Sequence, residues 1–267
     1  MNPSDAAFDR IDWTAALEAE RRQMLMFCES LDAADWAQPS LAAGWSIKDV
    51  VAHIGSGCHA MFTPAVVRML TSPNIEGTND VFVEERRHWP PARVLAEYRS
   101  WSRRILPAAK IVSRSPIRHL PLRLAELGTF DARLLLCGAL TFDHHTHLRH
   151  DMAPALDRPV PVTDGNRMAV VLAWMFAVLG HQLRTASPPW LDTAVGVVLS
   201  GPGGGAWMVD RTGARRGQAG GDGTWVEALA VEFPEWGTRR AHWRDRAVRI
   251  HGDEAYGAAF LDSLNIV

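Results

Sequence analysis

Cysteine is scarce in this sequence: Cys28, Cys58 and Cys137 are spread over 267 residues with no CxxC pair. That excludes a disulfide framework and leaves each thiol as a small buried hydrophobe. Long apolar runs are missing too. No stretch offers about 18 uninterrupted apolar residues, and the start, MNPSDAAFDRIDW, has neither a basic region nor an apolar core. A cytosolic (cytoplasmic) protein with no membrane partner is therefore expected. Charge of one sign is not in excess: the formal net charge is −2 with 22% charged residues, which argues against nucleic acid as a partner. The run Gly201-Pro202-Gly203-Gly204-Gly205 lacks the Lys-Ser/Thr of a phosphate loop and reads as a hairpin turn. No internal repeat is visible, and no HExxH base accompanies the histidines described below.

What is present is enough apolar material for two cores, since 47% of residues are hydrophobic and the length exceeds what one core commonly supports. Trp13, Leu17, Met24, Phe27 and Leu31 recur at helical spacing and define a first amphipathic helix. Ser46, three residues before Asp49, marks a capping-box start for a second helix from about Ile47 to Leu70. A third helix follows Pro90 and Pro91, and a fourth spans about Asp131 to Asp151. Four helices suit a bundle. The Pro-rich segment from Ala153 to Asn166 reads as a linker. Beyond it come a helix from Arg167 to Arg184, strands at about 194–199, 206–209, 225–231 and 247–250, and a closing helix from Asp253 to Leu264. The expected fold is α+β, an up-and-down four-helix bundle over 1–158 and a smaller α+β domain over 159–267. The eleven tryptophans, scattered from Trp13 to Trp243, fit packing roles.

The chemistry concentrates in Asp143-His144-His145-Thr146-His147-Leu148-Arg149-His150-Asp151, which holds four of the eleven histidines. Residues four apart share a helix face, so Asp143 and His147 can present a carboxylate oxygen and an imidazole nitrogen to one ion. His53, on the apolar stretch of the second helix, is the candidate third ligand from a facing helix. Two nitrogens and one oxygen leave a coordination position open, the pattern of a catalytic site, and zinc is the expected divalent metal. The competing readings are a solvated histidine face and a hydrogen-bonded core His53. Arg86, Arg87, Arg123 and Arg149 are expected on the surface, and Cys58 and His59 are assigned no chemistry.

The phrase Gly44-Trp45-Ser46-Ile47-Lys48-Asp49-Val50-Val51-Ala52-His53, preceded by Asp35-Trp36, resembles the start of the mycothiol-dependent maleylpyruvate isomerase family among the DinB-like bundles. The end of the chain, Val248 to Ala255 and the final helix, resembles that family's closing strand, Gly-Asp and helix. The resemblance implies metal ligation by His53, Asp143 and His147, with mycothiol as thiol cofactor and a small electrophile as substrate. This chain departs from the family pattern in having Asp143 where the family has Glu, and in placing His147 four residues before Asp151 instead of three. His150 is thus an alternative ligand, and Asp151 is placed to orient an imidazole. The resemblance implies isomerisation or thiol S-transfer, a thiolate at the metal being the nucleophile. A non-catalytic small-ligand or metal-binding protein and a metal-dependent hydrolase are the alternatives. Oligomeric state is left open.

Overall fold

The computed structural model describes residues 11–266. The described residues divide into two compact units, one formed by residues 13–162 and the other by residues 163–266 with residues 11 and 12.

In the first unit, α1 (Trp13–Glu29) leads through a short α2 (Ala33–Ala37) to α3 (Ile47–Ala60). Ser46 caps α3 as its spacing predicts: its side chain accepts from the Asp49 N–H, and the Asp49 carboxylate accepts from the Ser46 N–H at 3.0 Å. The second helix does not run on to Leu70. It stops at Ala60, and α4 (Ala65–Thr71) departs at 103°. Pro64 explains the break, because it lacks an N–H and disfavours helical backbone at the residue before it. Next come α5 (Ile75–Glu84), α6 (Pro91–Arg114) and a two-stranded hairpin, β1 (Pro121–Leu124) with β2 (Gly128–Asp131). The fourth long helix is composite. Its central segment α7 (Leu140–Thr146) is flanked without interruption by π-helical turns at Leu134–Ala139 and His147–Met152. The core of the unit joins Met24, Phe27, Trp36, Val50, Val51, Ile54, Val94, Tyr98, Leu148 and Met152, so α1, α3, α6 and the fourth helix share one interior. Cys28, Cys58 and Cys137 are buried and form no disulfide.

In the second unit α8 (Gly165–Ala186) packs on a five-stranded sheet of order β5-β4-β3-β6-β7. The strands are β3 (Val195–Ser200), β4 (Gly205–Asp210), β5 (Gly213–Arg216), β6 (Trp225–Leu229) and β7 (Arg249–His251). β3 and β6 are parallel, and the other pairs are antiparallel. A short α9 (Phe233–Gly237) and the closing α10 (Glu254–Ser263) complete it. Along the strands Val195, Val197, Leu199, Trp207, Val209, Val226 and Ala228 are buried, and Phe176 of α8 stacks on Trp207 at 4.1 Å. α8 is long and apolar enough to cross a membrane, and 67% of its most apolar stretch is buried. The glycine run between β3 and β4 is a hairpin turn, with Gly203 at φ +69° against the first turn of α8.

Candidate functional site

The composite fourth helix and α3 bring two of the three proposed ligands together. His53 and His147 are both 8% exposed, and their rings meet edge to face with centroids 5.2 Å apart. Trp45, just before the α3 cap, covers both: its ring lies 5.0 Å from His53 and 6.2 Å from His147. The pair therefore sits under an indole, in an environment that restricts water.

The π turn matters here. Its hydrogen bonds run five residues back, as from the Ala153 N–H to the Leu148 carbonyl at 3.0 Å. In so wide a turn residues four apart stack closely, and the fully buried Asp151 carboxylate lies 2.7 Å from His147 Nδ1. Such a bond fixes the ring and its tautomer and turns Nε2 away from the carboxylate.

Asp143 lies one α-helical turn before His147, whose N–H donates to the Asp143 carbonyl. Its charge adds to burial in raising the Cys58 thiol. Among the described residues, however, no three His, Cys, Asp or Glu side chains are grouped so as to hold a metal ion. His53 and His147 are two imidazole donors of the type a divalent ion takes, with Asp151 behind one of them; Asp143 is not drawn into a three-donor cluster with them.

The other histidines of the cluster divide by face. His144 is buried, hydrogen-bonds the Leu140 carbonyl through Nδ1 at 2.6 Å and lies beside Tyr98. Burial is the main cause that drives its pKa down to about 4, so it is neutral at pH 7. His145 is fully buried, and His150 lies beside it, ring centroids 6.3 Å apart. Burial first, and then the Asp143 charge, pushes the Cys58 thiol up to about 12, and burial raises Cys28 as well. Neither thiol ionises at neutral pH.

Two arginines expected at the surface are interior. Arg86 is buried and grips Glu97 with Nε and Nη2 at 2.6 and 2.8 Å, while His59 Nδ1 lies 2.8 Å from the same carboxylate. Burial pushes Glu97 up, but the hydrogen bonds and charges of Arg86 and His59 more than offset it, so its pKa is lowered. Arg149 is buried too, against Glu20 at 2.7 Å. Arg87 and Arg123 remain exposed. The partners lie 11 residues away for Arg86 and 129 for Arg149, so no local pattern announces either pair.

Comparison with known proteins agrees with this architecture. Residues 17–116 match the family model described as mycothiol maleylpyruvate isomerase N-terminal domain. The crystal structure of the mycothiol-dependent maleylpyruvate isomerase shares 14% sequence identity with the chain, with a TM-score of 0.53, over 86% of this chain and 89% of that one. A crystal structure of a histidine-to-alanine mutant of such an isomerase gives 16%, 0.54, 90% and 91%. At these identities the likeness establishes the fold. No curated protein matches significantly.

Proposed function

We propose, from the match of residues 17–116 to the mycothiol maleylpyruvate isomerase N-terminal domain model and from the fold shared with the isomerase, that this chain is a metal-dependent enzyme that uses a low-molecular-weight thiol, mycothiol, to isomerise a small electrophile or to transfer sulfur to it. The observation that carries the reading is the edge-to-face pair of His53 and His147 with Asp151 behind it. A divalent ion at that pair would favour thiolate over thiol, and the thiolate is the nucleophile.

The chain's own residues prepare the place. Asp151 holds His147 in one tautomer, and Trp45 limits water. Burial keeps the Cys28 and Cys58 thiols protonated, which supports a cofactor as the source of the sulfur. In isomerisation, sulfur adds to one carbon of a cis double bond conjugated to a carbonyl, and the π pair moves onto the carbonyl. The former double bond then rotates, and return of the pair expels the thiolate and leaves the trans product. In transfer, the sulfur–carbon bond is kept, and either the neighbouring carbon that carries the displaced pair takes up the proton the thiol gave up, or the attacked carbon expels its leaving group with the bonding pair.

The test is a titration of the cobalt-loaded protein with mycothiol and with a control thiol, followed by sulfur-to-cobalt charge-transfer absorption. The expected result is a saturable band with mycothiol. No band, together with ester or amide turnover indifferent to thiol, would overturn the reading in favour of a hydrolase.

A further inference from the structure

The π-helical turn that carries His147 and Asp151 also carries Arg149 between them, and Arg149 faces elsewhere. Its guanidinium is 4% exposed by side chain and binds three elements at once. Nη1 donates to Glu20 of α1 at 2.7 Å and to the His145 carbonyl at 3.3 Å. Nη2 donates to Gln23 of α1 at 2.5 Å and to the Val162 carbonyl at 3.3 Å, and Nε donates to the Pro161 carbonyl at 2.9 Å. Gln23 closes the ring by donating to Val162 at 3.2 Å. Pro161 and Val162 are the last residues of the bundle unit.

We propose that Arg149 is a positioning residue: its buried clamp on Glu20, Gln23 and the departing chain holds the π turn in the register that sets His147 and Asp151 against His53. The argument is one of alternatives. A π turn is uncommon, and an unconstrained segment reverts to α-helical spacing. Reversion here would rotate the last turn and carry Arg149 away from Glu20, stranding a guanidinium and a carboxylate without partners in the interior. Such stranding is costly because both charges are already desolvated. The same constraint that keeps Arg149 on α1 therefore keeps Asp151 beneath His147. It also means that the Pro-rich segment, though it reads as a loose tether, is pinned at its end.

This inference rests on the metal reading above, so the experiment separates the two. Cobalt binding, with the ligand-field spectrum of the bound ion, is measured for wild type, Arg149→Met and Arg149→Lys. Arg86→Met, which breaks the other buried ion pair of the unit, serves as a destabilised control, and proteinase K cleavage between residues 158 and 166 is followed in parallel. The expected result is about tenfold or greater loss of cobalt affinity and a shifted spectrum in Arg149→Met. Arg149→Lys, which keeps the charge without the fork, should be intermediate and serves if the Met variant does not fold. Arg86→Met should keep the wild-type spectrum and affinity. Identical cobalt spectra and affinities in the Arg149 variants and wild type would overturn the positioning role. Cleavage of 158–166 as fast in wild type as in Arg149→Lys would overturn the clamp. A wild-type protein that takes no cobalt would instead sink the metal reading, and the positioning role with it.

Discussion

Asp151→Asn isolates the contribution of a charge buried behind a ligand. The carboxylate is 0% exposed and 2.7 Å from His147 Nδ1, so the substitution keeps shape and volume while removing the negative charge. A hydrogen bond to a charged group contributes about 1.5–3 kcal/mol against about 0.5–1.5 for a neutral one, a difference of about 1–1.5 kcal/mol. At about 1.4 kcal/mol per decade this is roughly tenfold in metal affinity, the lower end of what outer-shell carboxylates usually contribute. The assay is competition of zinc or cobalt against a calibrated chelator, with thermal unfolding of the apo protein as control. Removing a buried charge should leave the apo Tm within a few degrees of wild type, so a tenfold weaker Kd would report on the ligand and not on the fold. An unchanged Kd in a well-folded Asp151→Asn protein would refute the reasoning and reduce the His147–Asp151 bond to core packing.

The remaining expectations address the scaffold. His144 has its folded pKa lowered from 6.5 to about 4, so the unfolded chain binds more protons between those values and stability is lost as pH falls through that window. The loss is about 3 kcal/mol when complete, and urea midpoints from pH 7 to 4.5 should fall less steeply in His144→Gln; parallel slopes would contradict it. Arg86→Met leaves Glu97 buried without its bidentate partner and should cost about 3–5 kcal/mol, partly recovered in the double variant with Glu97→Leu. In the second unit, Gly203→Ala would place a Cβ 2.4 Å from the Ala169 N at φ +69°, so a Tm drop of several degrees is expected. An unchanged Tm would contradict that packing.

Most of the architecture was legible because it rests on local signals. The capping box before α3, the 3.6-residue stripe of α1 and the alternation of β3 and β4 each follow from residues a few positions apart, and their positions fall within a residue or two of expectation. Sequence reasoning ran the second helix through Pro64, where apolar residues on both sides masked the break. It missed α5 and the β1–β2 hairpin, which are held by contacts distant in sequence such as Ile75 N–H to Glu126 and Ala125 N–H to the Leu70 carbonyl. β5 is only four residues long, GARR, and owes its place to β4.

At the site, the facing-helix argument named His53 and His147, whose rings lie 5.2 Å apart, whereas helical spacing alone did not bring Asp143 into a three-donor cluster with them among the described residues. The π turns had no signature in the sequence, and they decide which acceptor meets which imidazole. Arg149 illustrates the same limit: a flexible cationic side chain amid histidines reads as surface until Glu20, far upstream, is seen to meet it.

The most direct test of the account is elemental analysis of protein expressed with zinc, comparing wild type with His53→Ala, His147→Ala and His144→Ala. The account predicts about one divalent ion per chain in wild type and His144→Ala, and strong loss in His53→Ala and His147→Ala. No metal in the wild type, or full retention in both of the latter variants, would contradict it.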